Sequence, residues 1–284
     1  MAEFTFNEVS YLKLHEDVRL GIEQGHFKSG WEHYQKHGRA EGRRASRLDH
    51  EHHSIIDYSN LVRKLIAAHP DNLDLAMAKA IGALTLEIYR ESGDKHYQVL
   101  QQLGLQNGQA IYDLACGSGR TAAALRRNGW HGQYRGADII EDLVNYAQAK
   151  NPGFEFFVHP DFSIHAADAS QDMIYSWSLF THLQLEEIFL YAKDCHRALK
   201  PDGIFVFSFL TLTDKQHREL FLSRVKSLEN GIANVHLDMF LDQETIRIMM
   251  VEILGYKLLG FTEADDETAT PTGSFGQALA MFKK

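Results

Sequence analysis

The chain has 284 residues, 44% of them hydrophobic and 24% charged, with a formal net charge of −9. That composition belongs to a globular chain able to bury a core, and it disfavours disorder, collagen-like repeats and coiled coils. The acidic balance argues against general binding to nucleic acid, which requires many Lys and Arg side chains to displace counterions.

Met1 to Gly21 mixes acidic and apolar residues and lacks the basic start and apolar stretch of a signal peptide. The longest near-apolar run, Gly203 to Leu212, is about half of what a bilayer-spanning helix needs. A cytoplasmic protein without membrane insertion is expected. Residues 1–48 read as a separate small block whose apolar positions are Val9, Leu12, Val18, Leu20 and Ile22. Lys36, Arg39, Arg43, Arg44 and Arg47 gather there in an otherwise acidic chain, either as a solvated helix end near Glu41 or as a surface for an anionic glycan, headgroup or partner. Asp49-His50-Glu51-His52-His53 has metal-ligand residue types, but adjacent side chains point in different directions. No metal site is expected, and the stretch reads as a polar linker. Leu61 to Ala68 and Leu73 to Arg90 carry apolar residues at three- and four-residue spacing, so residues 49–105 are expected to form a linker and a helical cap.

From Gln109 onward, short apolar runs alternate with helical periods, the pattern of a mostly parallel sheet with helices on both faces. Strands are expected at Gln109 to Leu114, Gln133 to Asp138, Phe154 to Val158, Met173 to Trp177 and Gly203 to Thr211, with helices at Thr121 to Asn128, Asp142 to Lys150 and Leu185 to Leu199. Lys200-Pro201-Asp202-Gly203 reads as a turn between helix and strand. After a helical region from Asp214 to Leu254, Tyr256 to Thr262 and Gly276 to Phe282 read as two strands separated only by a loop, hence antiparallel. The fold class expected is α/β, a doubly wound Rossmann-like sheet ending in an antiparallel hairpin, with the catalytic domain over residues 106–284.

The strongest chemical signal is Ile111-Tyr112-Asp113-Leu114-Ala115-Cys116-Gly117-Ser118-Gly119-Arg120, a strand entering a glycine turn that opens a helix. Glycines let a ligand approach the backbone, and the helix N-terminus offers N–H groups without intrahelical partners. Many tight turns look alike, so the acids matter more. Asp113 lies at the strand end, and Asp138 ends the next strand about 20 residues beyond the turn, where an acid can bind a ribose diol. Gly117-x-Gly119-x-x-Ala122 also fits a nicotinamide-dependent oxidoreductase, but Asp113 beside a pyrophosphate would repel it, whereas a carboxylate suits an ammonium and a sulfonium.

These residues resemble the class I S-adenosylmethionine-dependent methyltransferases over roughly Leu103 to Lys284. The resemblance implies S-adenosylmethionine as cofactor, with Asp113, Ala115, Cys116, Gly117, Ser118 and Gly119 cradling its methionine part and Asp138 with Ile139 at the ribose. It places Asp161 and Phe162 at the adenine, and Ser176 and Trp177 at the fourth-strand motif that runs on to His182. The turn before Gly203 and the closing Gly276-Gln277-Ala278-Leu279-Ala280 also resemble the family. Cys116 is assigned packing. Cys195 completes a pair that forms neither a disulfide framework nor a zinc pattern.

Methyl transfer is an in-line displacement helped by alignment and desolvation, and an oxygen acceptor of high pKa also needs a base. His182 is the candidate, with His159 and His165 weaker ones. The Asn/Asp-Pro-Pro-Tyr motif of base-methylating enzymes is absent; Ser176-Trp177-Ser178-Leu179 stands in its place, and no nucleic-acid substrate is expected. Tyr11-Leu12, Asp17-Val18, His33-Tyr34, Gly38 and Glu41-Gly42-Arg43 resemble a small bacterial helical module found beside transferases of surface polysaccharides. The expected reaction is O-methylation of a carbohydrate or other small hydroxylated acceptor. The alternatives are a small-molecule N-methyltransferase and a cofactor-binding scaffold without turnover.

Overall fold

The computed structural model describes residues 6, 8, 11, 12, 15–39, 41, 43, 49–231 and 237–284, with the backbone alone over 49–57. Val9, Gly42, Arg44 and Arg47 lie outside the described residues, as do the side chains of the Asp49 to His53 cluster. The chain divides into two compact units, Met1–Asn60 and Leu61–Lys284.

In the first unit, α1 (Glu16–Glu23) is followed by α2 (Gly30–His33), which opens with Ser29 accepting the Glu32 N–H and runs into a π-turn at Tyr34–Gly38. Val18 is buried as expected, but Leu20 is exposed. The centre is Tyr11, fully buried with its hydroxyl 2.9 Å from His33 Nδ1. An aromatic ring system therefore does the work expected of aliphatic side chains. The polar stretch from Asp49, expected as a linker, is helical: α3 (Asp49–Ala68) begins there.

The cap expected as one helix over Leu73 to Arg90 is two, α4 (Leu73–Ala80) and α5 (Leu86–Gln102). Two local features break it. Gly82 adopts φ +82°, and Thr85 accepts the Ile88 N–H as the α5 cap. The sheet contains β1 (Ala110–Leu114), β2 (Gln133–Asp138), β3 (Glu155–Val158), β4 (Gln171–Ser176), β5 (Leu199–Phe209), β6 (Lys257–Thr262) and β7 (Ala278–Lys283). Its order is β3-β2-β1-β4-β5-β7-β6, with the first five parallel and β7 antiparallel to both neighbours. The intervening helices are α6 (Arg120–Arg127), α7 (Glu141–Lys150), α8 (Leu185–Ala198), α9 (Lys215–Glu229) and α10 (Gln243–Arg247), the last continuing as a π-turn over Ile248–Ile253.

Strand alternation sends Tyr112, Leu114, Ile174, Phe205 and Phe207 to a core with α8 and α10, and Ile111, Met173, Tyr175 and Val206 to a core with α5, α6 and α7. Each such side chain contributes about 1.5–3 kcal/mol when fully buried. One expectation fails locally: β5 begins at Leu199, which pairs with Gln171, and the next paired residue is Ile204. The Pro-Asp-Gly turn is therefore looped out inside a strand, with Asp202 at φ +65°. None of the described helices is long and apolar enough to cross a membrane.

Strand order reverses between β1 and β4, so the loops leaving their C-terminal ends diverge. That crevice is where open α/β sheets bind ligands.

Candidate cofactor and acceptor site

The β1 end supplies the first wall. Ala115, Gly117 and Gly119 take φ values of +66°, +55° and +78° in succession, coiling the chain before α6 starts at Arg120. A Cβ on Gly117 would lie 2.9 Å from Ile81, and one on Gly119 would lie 2.9 Å from the Asn151 amide. Both positions are sterically closed to side chains. Ala115 carries a Cβ in a left-handed conformation, a cost of about 1–2 kcal/mol held by the surrounding turn. The turn is bolted to β2: Cys116 N–H donates to the Ala137 carbonyl at 2.9 Å, and Cys116 packs against Gly136, where any Cβ would sit 3.0 Å from the cysteine's own. Burial pushes the Cys116 thiol well up, as suits a packing role.

Asp138 is set by two backbone donors, Gly117 N–H at 2.9 Å to Oδ2 and Ile140 N–H at 3.0 Å to Oδ1. Each oxygen retains a second acceptor site. Burial raises its pKa, while the Ile140 and Gly117 amides pull it down. Asp113 is 1% exposed and accepts the Tyr134 hydroxyl at 2.8 Å. Burial pushes its carboxyl up to about 7, only partly offset by the hydroxyls of Tyr134 and Tyr175. Ser118 is buried, with its carbonyl accepting the Tyr89 hydroxyl at 3.1 Å.

The β4 end supplies the facing wall. Ser176 Oγ donates to the Leu114 carbonyl at 2.8 Å, tying the two strand ends together. Trp177 packs on Tyr175, His96 and Phe275, with ring centroids 5.4, 5.1 and 5.1 Å away. Ser178, at φ +61°, turns the chain; its N–H donates to Ser208 Oγ at 2.7 Å and its hydroxyl to the Gln277 side chain at 3.1 Å. His182 follows with Nδ1 2.8 Å from the Leu237 carbonyl, and Met239 N–H donates to the Thr181 carbonyl at 2.7 Å. Since a carbonyl only accepts, Nδ1 is the donor in this contact. The segment at 237–239 thus forms a shelf against the His182 turn.

The other expected residues are less convergent. Asp161 is exposed on the loop after β3, with its carbonyl accepting the Ser163 N–H. Phe162 meets Tyr191 edge-on at 5.4 Å and packs on the α8 core. His159 is bound to Ser163 Oγ at 2.9 Å, and burial lowers its pKa. His165 packs on Phe157 at 5.1 Å. Ile139 links Asp138 to the Ile140 cap of α7.

Several polar residues at this crevice carried no local motif. His96 is buried on α5 with Nδ1 2.8 Å from Thr121 Oγ1, and burial holds its pKa well below the usual imidazole range. Tyr89 and His96 stand seven residues apart, two turns along one helix face, and that spacing is the signal that could have singled them out. Beyond β5, Asp214 caps α9 through the His217 N–H at 3.0 Å, while His217 Nδ1 accepts the Thr211 N–H at 3.0 Å. Both are buried. Among the described residues no group of three or more His, Cys, Asp or Glu side chains could hold a metal ion.

Residues 111–203 match the family model described as a methyltransferase domain. Among solved structures, the chain is similar to a SAM-dependent methyltransferase of Methanosarcina mazei, at 20% identity and TM-score 0.52 over 65% of this chain and 96% of that one. It is similar to an S-adenosylmethionine-dependent methyltransferase of Mesorhizobium loti, at 18% identity and TM-score 0.51 over 67% and 98%. It also resembles the magnesium protoporphyrin IX methyltransferase of Synechocystis with bound SAH, at 15% identity and TM-score 0.54 over 80% and 99%. The structural neighbours speak to the fold, and the matched segment spans the glycine turn, both acids and the β4 end. Residues 111–203 thus match a methyltransferase domain, and the chain shares its fold with SAM-dependent methyltransferases, one of them holding SAH.

Proposed function

We propose that the protein O-methylates a small hydroxylated acceptor, a carbohydrate by preference, with His182 as general base. The observation that carries this reading is the His182 ring itself. Its Nδ1 lies 2.8 Å from the Leu237 carbonyl, which fixes the ring on the turn that follows β4.

Bound S-adenosylmethionine supplies an electrophilic methyl group on a sulfonium. Asp113, Ala115, Cys116, Gly117, Ser118 and Gly119 are assigned to its amino-acid end, Asp138 and Ile139 to the ribose hydroxyls, Asp161 and Phe162 to the adenine, and Ser176 and Trp177 to the β4 side. The acceptor sites remaining on Asp138 fit such a ligand. His182 takes the acceptor hydroxyl proton as the oxygen attacks, a contribution typically about 10²–10⁴-fold. The shelf at 237–239 and the buried Asp214 and His217 beyond β5 are assigned to the acceptor half.

The preference for carbohydrate rests on the resemblance of residues 1–48 to a module of polysaccharide-related transferases, and residues 49–105 and 106–284 are assigned as cap and catalytic domain. A cytoplasmic location suits both cofactor and reduced cysteines. The test is formation of S-adenosylhomocysteine with a panel of sugars, sugar nucleotides and small amines. Turnover with hydroxylated acceptors that falls in His182→Gln supports the reading. Turnover confined to amines makes the enzyme an N-methyltransferase, and cofactor binding without turnover on any acceptor makes it a scaffold.

A further inference from the structure

The turn that follows β5 is well partnered. Thr211 Oγ1 meets Thr213 Oγ1 at 3.0 Å, and Arg218 donates to the carbonyls of Leu212 at 3.0 Å and Thr213 at 2.6 Å. The helix cap uses Asp214 Oδ1 and the Thr211 N–H uses His217 Nδ1, two atoms that stand 4.0 Å apart. Asp214 Oδ2 and His217 Nε2 are the exceptions. Both atoms are buried, on residues that are each 4% exposed, and neither has a hydrogen-bond partner among the described residues.

The partners already in place fix what these two atoms can do. A backbone N–H only donates, so His217 Nδ1 holds a lone pair and the ring proton sits on Nε2. Asp214 Oδ2 accepts. One buried donor and one buried acceptor thus lie on neighbouring side chains, and each is costly to leave unmade. An ammonium only donates and would leave Nε2–H unmatched, whereas a carboxylate only accepts and would leave Oδ2 unmatched. A hydroxyl does both through one oxygen.

Their place in the fold connects the pair to the His182 turn. Leu241 N–H donates to the Leu210 carbonyl at 2.8 Å, one residue before Thr211. The other end of the same 237–241 segment meets His182 through the Leu237 carbonyl. The pair and His182 therefore stand at the two ends of one ribbon laid past the C-terminal ends of β4 and β5. His217 is the only buried residue of α9, which is tied to the ribbon by Phe221 edge-on to Phe240 at 5.6 Å and by Arg224 paired with Asp238 at 2.5 Å.

We propose that Asp214 and His217 form a hydroxyl-recognition subsite, in which one acceptor hydroxyl accepts from His217 Nε2–H and donates to Asp214 Oδ2 while a different hydroxyl is methylated. The acceptor is then a compound with at least two hydroxyls, of the polyol or sugar class. A shift of the weakly held α9 admits it. The proposal deepens the reading of a hydroxylated acceptor and rests on it.

The test compares the full chain with His217→Asn, which keeps an acceptor for the Thr211 N–H and removes the distal donor, and Asp214→Asn, which keeps the cap and replaces one acceptor oxygen by a donor. Dissociation constants are measured on protein saturated with S-adenosylhomocysteine for methyl glucoside, methyl galactoside and methyl mannoside, the singly deoxygenated forms of each, cyclohexanol and benzylamine. Methylation of the same compounds is followed with S-adenosylmethionine. A glycoside should bind, and one of its deoxygenated forms should bind about 10- to 100-fold more weakly. Both variants should bring that ratio within about threefold, with melting midpoints within about 4 °C of the wild type. Either variant alone carries the test if the other fails to fold. Lower midpoints with the ratio unchanged make the pair structural or water-filled and overturn the subsite, as does a panel in which no glycoside binds more tightly than cyclohexanol. Methylation of cyclohexanol and glycosides alike, unaffected by the variants, overturns the subsite and leaves O-methylation standing. Methylation confined to benzylamine overturns both. A ratio that the variants flatten, on glycosides bound but never methylated, keeps hydroxyl recognition and overturns the O-methylation reading.

Discussion

Arg43 in the first unit and Arg120 in the second both end sequence motifs, yet their surroundings are opposite. Arg43 is paired, with Asp17 and Glu41 each at 2.6 Å. The other residues of its motif are likewise used on one another: the Tyr11 hydroxyl meets His33, and Gly38 leaves room for that same hydroxyl, which any Cβ there would overlap. Outside the motif, Glu8 gathers the N–H groups of Gly30 and Trp31. Around Arg120, in contrast, Trp177 Nε1 and Arg120 Nε have no hydrogen-bond partner among the described residues. The difference teaches that a motif can be a folding device or a ligand device, and that hydrogen-bond accounting separates the two.

The histidines give the sharpest contrast and the largest expected effect. His33 is buried against Tyr11, and burial lowers its pKa, whereas His182 stands at the mouth of the β4 end. His182→Gln should lower kcat by about 10²–10⁴-fold with cofactor affinity nearly unchanged, because a base acts only in the transition state. Steady-state rates beside a cofactor titration check this. An unchanged kcat would remove His182 from the chemistry and place it with His33 among structural residues.

Asp138→Ala comes next. It removes the acceptor of the Gly117 and Ile140 N–H groups as well as the proposed ribose contact, so affinity for S-adenosylhomocysteine should fall about 30- to 1000-fold, read by calorimetry. Gly38→Ala applies the opposite pressure. Overpacking against Tyr11 should destabilise the first unit by about 1–3 kcal/mol, visible as lost amide-exchange protection over 15–39, while the melting shift produced by S-adenosylhomocysteine persists.

The sequence made the glycine turn and the two strand-end acids legible for a physical reason. Parallel strands buried on both faces read as apolar runs, and Asp113, Gly117, Gly119 and Asp138 sit at their ends, where local spacing determines position. The proposed acceptor half resisted because its contacts are distant and carry no side-chain signature. His182 is oriented by a backbone carbonyl at Leu237, 55 residues away. The placement of His96 needs α5, whose start depends on the Gly82 and Thr85 break that periodicity alone ran through. The early start of β5 was hidden by a four-residue bulge whose Pro-Asp-Gly content reads as an ordinary turn.

Asp113 supplies a smaller, pH-dependent effect. Its folded pKa of about 7 exceeds the usual value of 3.8, so between those values the folded chain holds a proton that the unfolded chain lacks. Stability therefore falls as pH rises through that window, and the penalty is complete above about pH 7. A ligand ammonium has the reverse preference, favouring the carboxylate. Affinity for S-adenosylmethionine should rise by up to about tenfold between about pH 6 and pH 8, and Asp113→Asn should flatten the profile. No comparable dependence is expected from Asp17, whose partner Arg43 holds it below the usual carboxylate range and away from neutrality.

The smallest effect returns to Arg43. Its partners are 46% and 62% exposed, so the network is screened by water, and the two short contacts count for less than their distances suggest. Arg43→Met should cost about 1 kcal/mol or less in chemical denaturation and leave cofactor affinity within about twofold of wild type. The side-by-side measurement with Arg120→Met is informative because the two arginines differ in pairing: removing the paired one should weaken folding slightly, whereas removing Arg120, which makes no ion pair among the described residues, should not. Should both variants lose stability alike, the two arginines would be doing the same structural work, and a missing hydrogen-bond partner would no longer separate them.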